Sequence, residues 1–112
     1  MFGRWKSQPP VKTMTAREAH HLLAQGSIHL VDVREAGEWN DAHVEGAIHA
    51  PLSTLADLMP SLPSDKPVVF YCLSGKRSAM AVAMSQQLAL PHDTHVPGGI
   101  KEWIASGLPV TR

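Results

Sequence analysis

A chain of 112 residues has the length of one domain and is too short for two, and its 44% apolar content suffices for a core, which excludes general disorder. Ten basic and ten acidic side chains cancel, so no global charge favours nucleic acid or a membrane surface, and a charged partner must meet a local patch. The single cysteine, Cys72, excludes an internal disulfide and is compatible with a reducing compartment.

The start, MFGRWKSQPPVKT, lacks the apolar centre of an export signal, and no segment reaches the length of a membrane span. A soluble, cytoplasmic protein is expected. Residues 1–12, with Gly3, Pro9 and Pro10 and no apolar period, are expected to form an extended arm. Thr15 and Glu18 have the spacing of a capping box, Ala19, Leu22 and Leu23 supply one apolar face, and Gly26 is a stop, which predicts a helix. The β-branched run from Ile28 to Val33 predicts a buried strand, and Glu35 to Asp41 a short helical turn carrying Trp39.

Ala47-Ile48 is a weak strand signal ended by Pro51, and Thr54 to Met59 predicts a short helix closed by Pro60 and Pro63. Residues 67–71, PVVFY, carry the strongest strand signal of the chain. From Arg77 to Leu90 small and apolar residues predict a packed helix, with Met80 and Met84 one turn apart. His95-Val96 is a candidate strand, and Ile100 to Ala105 a last helix before Gly107. This alternation predicts an α/β domain with a largely parallel sheet, whose binding site lies beyond the carboxyl ends of its strands.

Two strand ends carry chemistry: Asp32-Val-Arg34 and Cys72. After Cys72 come Leu73, Ser74, Gly75, Lys76, Arg77 and Ser78. A tight turn leading into a helix near Ser78 gathers free backbone amides and the positive end of the helix dipole, a setting that holds an anion and lowers a thiol pKa. Gly75 permits the sharp curvature, and Lys76 and Arg77 can attract an anionic substrate or order the loop. On residues alone two readings stay open. Free cysteine is commonly a buried core residue, and it is equally the nucleophile such a loop would activate.

The loop CLSGKRS, residues 72–78, resembles the active-site loop of single-domain rhodaneses, the thiosulfate sulfurtransferases. Three further segments resemble that family in its order: Asp32-Val-Arg34-Glu35, the stretch from His43 to Pro51, and Gly98-Gly99-Ile-Lys-Glu-Trp103. The resemblance spans about residues 13–110 and implies one rhodanese domain over residues 13–112, with a central sheet between two helical layers. It implies that Cys72 takes a sulfane sulfur from thiosulfate or a related donor, forms a persulfide, and passes it to cyanide or a thiol. Amides from Leu73 to Ser78 would hold the terminal sulfur, with Lys76 and Arg77 assisting the anionic donor. Asp32 is implied to cap or pair, and Arg34 to anchor nearby loops by ion pairing, with substrate contact as its second reading. No cofactor is implied, and a sulfur-relay protein is a candidate partner.

Two other readings share Cys72. A sulfur-carrier or interaction module would show little thiosulfate activity. A cysteine phosphatase or arsenate reductase shares the fold, yet its loop has five residues between cysteine and arginine where this chain has four, and no carboxylate is placed to protonate a leaving group. Leu73 stands where rhodaneses often carry a basic or polar residue, which favours a bulkier or less charged donor. Seven histidines suggest metal binding, but none forms a ligand cluster of recognised spacing. His43 reads as a hydrogen-bonded structural residue, Trp39 and Trp103 as core anchors, Met80 and Met84 as helix packing, and Gly98-Gly99 as a tight turn.

Overall fold

The computed structural model describes residues 10–112; most of the expected arm, residues 1–9, lies outside that range. Within it the chain runs β1 (Lys12–Thr13), α1 (Ala16–Ala24), β2 (His29–Asp32), α2 (Ala36–Asp41), β3 (Ile48–His49), α3 (Leu55–Leu58), β4 (Val68–Tyr71), α4 (Lys76–Gln87), β5 (Thr94–His95) and α5 (Gly99–Ala105). The sheet has the order β1-β5-β4-β2-β3, and every pair is parallel. It is the expected α/β architecture, with the strongest strand, β4, at the centre.

Alternation along β4 divides the core in two. Val69 and Tyr71 face a layer with Ala16 and Ala19 of α1 and Ile100 and Trp103 of α5, while Val68, Phe70 and the following Cys72 face Ala81 and Val82 of α4 and Leu55 of α3. Both faces of a parallel sheet are thereby covered, which is why these strands read as continuous apolar runs. Full burial of a side chain such as Phe70 contributes roughly 1.5–3 kcal/mol.

The capping box at α1 is formed: the Glu18 amide donates to Thr15 Oγ1 at 3.0 Å, and the Thr15 amide to Glu18 Oε1 at 2.8 Å. Four features differ from the sequence expectation. Lys12, assigned to the arm, begins β1 and pairs with Thr94; two residues are too few for a periodic signal. The helix expected from Arg77 begins at Lys76, because Gly75 at φ +104° turns the chain into it at once. The expected Thr54–Met59 helix is a succession of a 3₁₀ turn, α3 and a second 3₁₀ turn over Met59–Ser61 that includes Pro60.

The fourth difference concerns large side chains. Met80 is 51% exposed, because α4 turns its small residues Ser78, Ala81, Val82 and Ser85 to the sheet and thereby approaches it closely. Trp39 is no core anchor either; its half-buried ring stacks with His43 at 3.6 Å and with His49 at 4.7 Å. Trp103 is buried, and its indole N–H donates to the Pro109 carbonyl at 2.8 Å.

Candidate active site

Cys72 follows directly on β4, at the carboxyl edge of the central strand. Its Sγ accepts the Gly75 amide at 3.1 Å and the Ser78 amide at 3.4 Å, and lies 3.6 Å from Ser78 Oγ. Both amides belong to the start of α4, a helix of twelve residues, so its positive end is aimed at the sulfur. Burial pushes the thiol pKa up, but hydrogen bonds from the Ser78 hydroxyl and from the Ser78, Gly75 and Ser74 amides outweigh it and hold the pKa below its ordinary value. The residue is 1% exposed. A thiolate in this cradle exchanges water for fixed donors.

Two turns hold the loop in that shape. Gly75 takes the left-handed conformation an L side chain avoids. Gly99, at φ +61°, backs onto the loop so tightly that an added Cβ would lie 2.3 Å from the Leu73 carbonyl oxygen and 2.6 Å from that of Cys72. The first amides of α5 bond the same carbonyls, Ile100 N to Cys72 O at 2.9 Å and Lys101 N to Leu73 O at 3.2 Å. Gly98-Gly99 is therefore more than a turn: it lets the last helix seat against the cysteine loop. Pattern reading missed this because it depends on a contact between segments distant in sequence.

The basic residues divide in an unexpected way. Lys76 is exposed on the first turn of α4. Arg77 forms a two-pronged pair with Glu38 of α2, Nη1 to Oε1 at 2.7 Å and Nη2 to Oε2 at 2.9 Å. The Arg77 hydrogen bonds dominate in lowering the Glu38 pKa to about 2. Glu38 was not among the sequence candidates, and nothing in its spacing singles it out.

Asp32 and Arg34 form a buried pair at the carboxyl end of β2. Asp32 Oδ1 accepts the Arg34 amide at 2.8 Å and its Nε at 3.0 Å, Oδ2 accepts Nη2 at 2.8 Å, and the guanidinium also donates to the Ala42 carbonyl at 2.6 Å. That last bond reaches the C-cap of α2, so the pair pins the helix that carries Glu38. His49 Nε2 lies 2.8 Å from the Arg34 carbonyl oxygen, and Glu35 accepts from the amide and hydroxyl of Ser53. His43 Nδ1 lies 2.8 Å from the Trp39 carbonyl oxygen. Asp32 and Arg34 thus act on the framework around the loop, while Ser74, Gly75 and Ser78 supply the hydrogen bonds to the sulfur itself. Leu73 is 41% exposed.

One further group enters from β5. Parallel register sets His95 beside Phe70, on the α4 side of the sheet, and its Nδ1 lies 2.8 Å from Ser78 Oγ. The sequence named His95 only in a candidate strand and among the histidines, since a histidine in a two-residue strand has no local signature linking it to Cys72.

Comparison with known proteins places the chain in a family. A family model described as Rhodanese-like domain matches residues 15–106. The chain is 36% identical over 94 residues to a probable adenylyltransferase/sulfurtransferase, MoeZ, of Mycobacterium tuberculosis, covering 81% of this chain and 24% of that protein. It therefore spans only about a quarter of that relative's length. It is 35% identical over 81 residues to a sulfurtransferase of Allochromatium vinosum, covering 72% of this chain and 76% of that one. Its fold is similar to the crystal structure of a rhodanese-related protein from Thermoplasma volcanium, with a TM-score of 0.79 at 32% identity and coverage of 89% and 97%.

Proposed function

Because the chain belongs to the rhodanese-like domain family, we propose that it is a sulfurtransferase in which Cys72 carries the sulfur as a persulfide. The observation that carries this reading is the pair of amides from Gly75 and Ser78 on Sγ at the start of α4. They favour the thiolate before reaction and can favour the anionic terminal sulfur after it.

In the proposed reaction the Cys72 thiolate attacks the outer sulfur of thiosulfate. A new S–S bond forms at Sγ, the original S–S bond breaks, and its electron pair leaves with sulfite. The persulfide then carries one negative charge, as the thiolate did. Attack by cyanide or a thiolate on the terminal sulfur removes it and restores the Cys72 thiolate. No second cysteine is available in the chain, so the acceptor comes from outside.

The charges around the loop refine the roles of its residues. Lys76, exposed at the helix start, is the cation offered to an incoming anion, whereas Arg77 is engaged with Glu38 and acts by holding α4 against α2. That engagement also counts against phosphoryl transfer, which needs its loop arginine on the substrate. Exposed Leu73 gives the rim an apolar element, which favours a donor less charged than thiosulfate, such as a protein persulfide.

Steady-state turnover separates a catalyst from a carrier. The enzyme is expected to convert thiosulfate and cyanide to thiocyanate over many cycles, with no turnover in Cys72→Ala. A protein that loads sulfur once and does not turn over is a carrier, and that result would overturn the enzymatic half of the proposal.

A further inference from the structure

We infer that His95 is a positioning residue for Cys72: its Nδ1–H donates to Ser78 Oγ and thereby directs the Ser78 proton onto the sulfur. The inference rests on the sulfurtransferase reading only for its purpose; the geometry stands by itself. His95 is 6% exposed and Ser78 fully buried, and successive contacts run from Nδ1 to Oγ at 2.8 Å and from Oγ to Sγ at 3.6 Å.

The hydroxyl of Ser78 has one proton and three neighbours: Nδ1 of His95, Sγ of Cys72, and the Gly75 carbonyl at 3.2 Å. The Gly75 carbonyl accepts the Ala79 amide at 3.1 Å and keeps a second lone pair, so it competes with the sulfur for the Ser78 proton, and a donor into Oγ strengthens the hydroxyl as a donor to the sulfur. If Nδ1 were bare it would take the proton through the shortest of the three contacts, and a thiolate would then face an oxygen lone pair. With the proton on Nδ1 the hydroxyl is released toward the sulfur. A neutral ring suffices, because only the tautomer matters. Burial holds the His95 pKa below its ordinary value, which agrees with an uncharged ring at neutral pH.

The charged and titratable groups around the pair come from each neighbouring element. Cys72 follows β4, Arg77 of α4 is held by Glu38 of α2, and Glu35 precedes that helix. His92 and Asp93 lead into β5, and Lys12 of β1 is paired with Asp93 at 3.4 Å. All remain in the variants below, so they do not distinguish them.

The test is the pH dependence of Cys72 alkylation by iodoacetamide in the full chain, which reads the thiolate without any sulfur donor. In His95→Leu, Ser78 Oγ loses the donor that orients and polarises it and its proton is free to turn to the Gly75 carbonyl, so the apparent pKa is expected to rise by about half a unit and alkylation at a fixed pH below it to slow about threefold. Ser78→Ala is expected to raise it at least as far, and adding His95→Leu to Ser78→Ala is expected to change nothing more, since the histidine acts through the hydroxyl. His95→Asn supplies an amide donor near the Nδ1 position and is expected to keep the wild-type profile; it also serves if the leucine variant does not fold. An unshifted or lowered pKa in His95→Leu would overturn the inference. So would an equal shift in the Ser78→Ala background, or a raised pKa in folded His95→Asn. A wild-type protein that fails to take up sulfur while these shifts appear would count against the proposed function and leave this inference standing.

Discussion

Gly75→Ala is expected to destabilise the protein by several kcal/mol and to abolish sulfur loading. The φ of +104° is a left-handed conformation, which costs an L residue about 1–2 kcal/mol. A Cβ built there would also lie 2.3 Å from the Pro97 carbonyl oxygen and 3.1 Å from its carbon. Those are backbone atoms between β5 and α5, with no rotamer to swing aside, so overpacking adds about 1–3 kcal/mol. The only relief is to displace the loop, and displacement withdraws the Gly75 amide from Sγ. Urea denaturation reads the first effect, and the rate of sulfur uptake from thiosulfate reads the second. A variant with the wild-type midpoint and uptake rate would show that the loop tolerates a shape the geometry forbids.

Asp32→Ala is expected to cost about 3–5 kcal/mol, because it leaves the Arg34 guanidinium buried without its carboxylate. Asp32 is fully buried and Arg34 is 4% exposed. Although burial alone would lower the Arg34 pKa, hydrogen bonding and charge from Asp32 reverse the effect and keep it above its ordinary value. Replacing both partners with apolar residues, as in Asp32→Leu with Arg34→Met, is expected to recover much of the loss, since no orphan charge remains. Sulfur uptake in the double variant reports the second role of the pair. Arg34 ties β2 to the end of α2 through the Ala42 carbonyl, and α2 presents Glu38 to Arg77. Uptake is therefore expected to stay below wild type even where stability returns. A cost under about 1 kcal/mol for Asp32→Ala would mean that water or a rearranged side chain replaces the carboxylate.

The central strands were legible because they are buried on both faces and carry runs of β-branched and aromatic residues. The cysteine loop was legible because its chemistry is local: cysteine, glycine and the start of a helix lie within seven residues. Partners contributed from a distance were not. Glu38 reaches Arg77 across 39 positions, and His95 reaches Ser78 across 17, and neither leaves a mark in spacing. The arginine shows the difference most clearly, since the loop alone left it either to attract substrate or to order the loop, and its pair with Glu38 of α2 was not visible there. Met80 and Trp39 mislead for a related reason: large apolar side chains suggest core, but close packing of α4 selected its small residues, and Trp39 found two imidazoles to stack on.

Whether Cys72 holds sulfur in its amide cradle is read from intact mass after incubation with thiosulfate. The protein is expected to gain one sulfur atom, a gain reversed by cyanide or a thiol and absent in Cys72→Ala. An unchanged mass in a folded, reduced protein would contradict sulfur loading at Cys72.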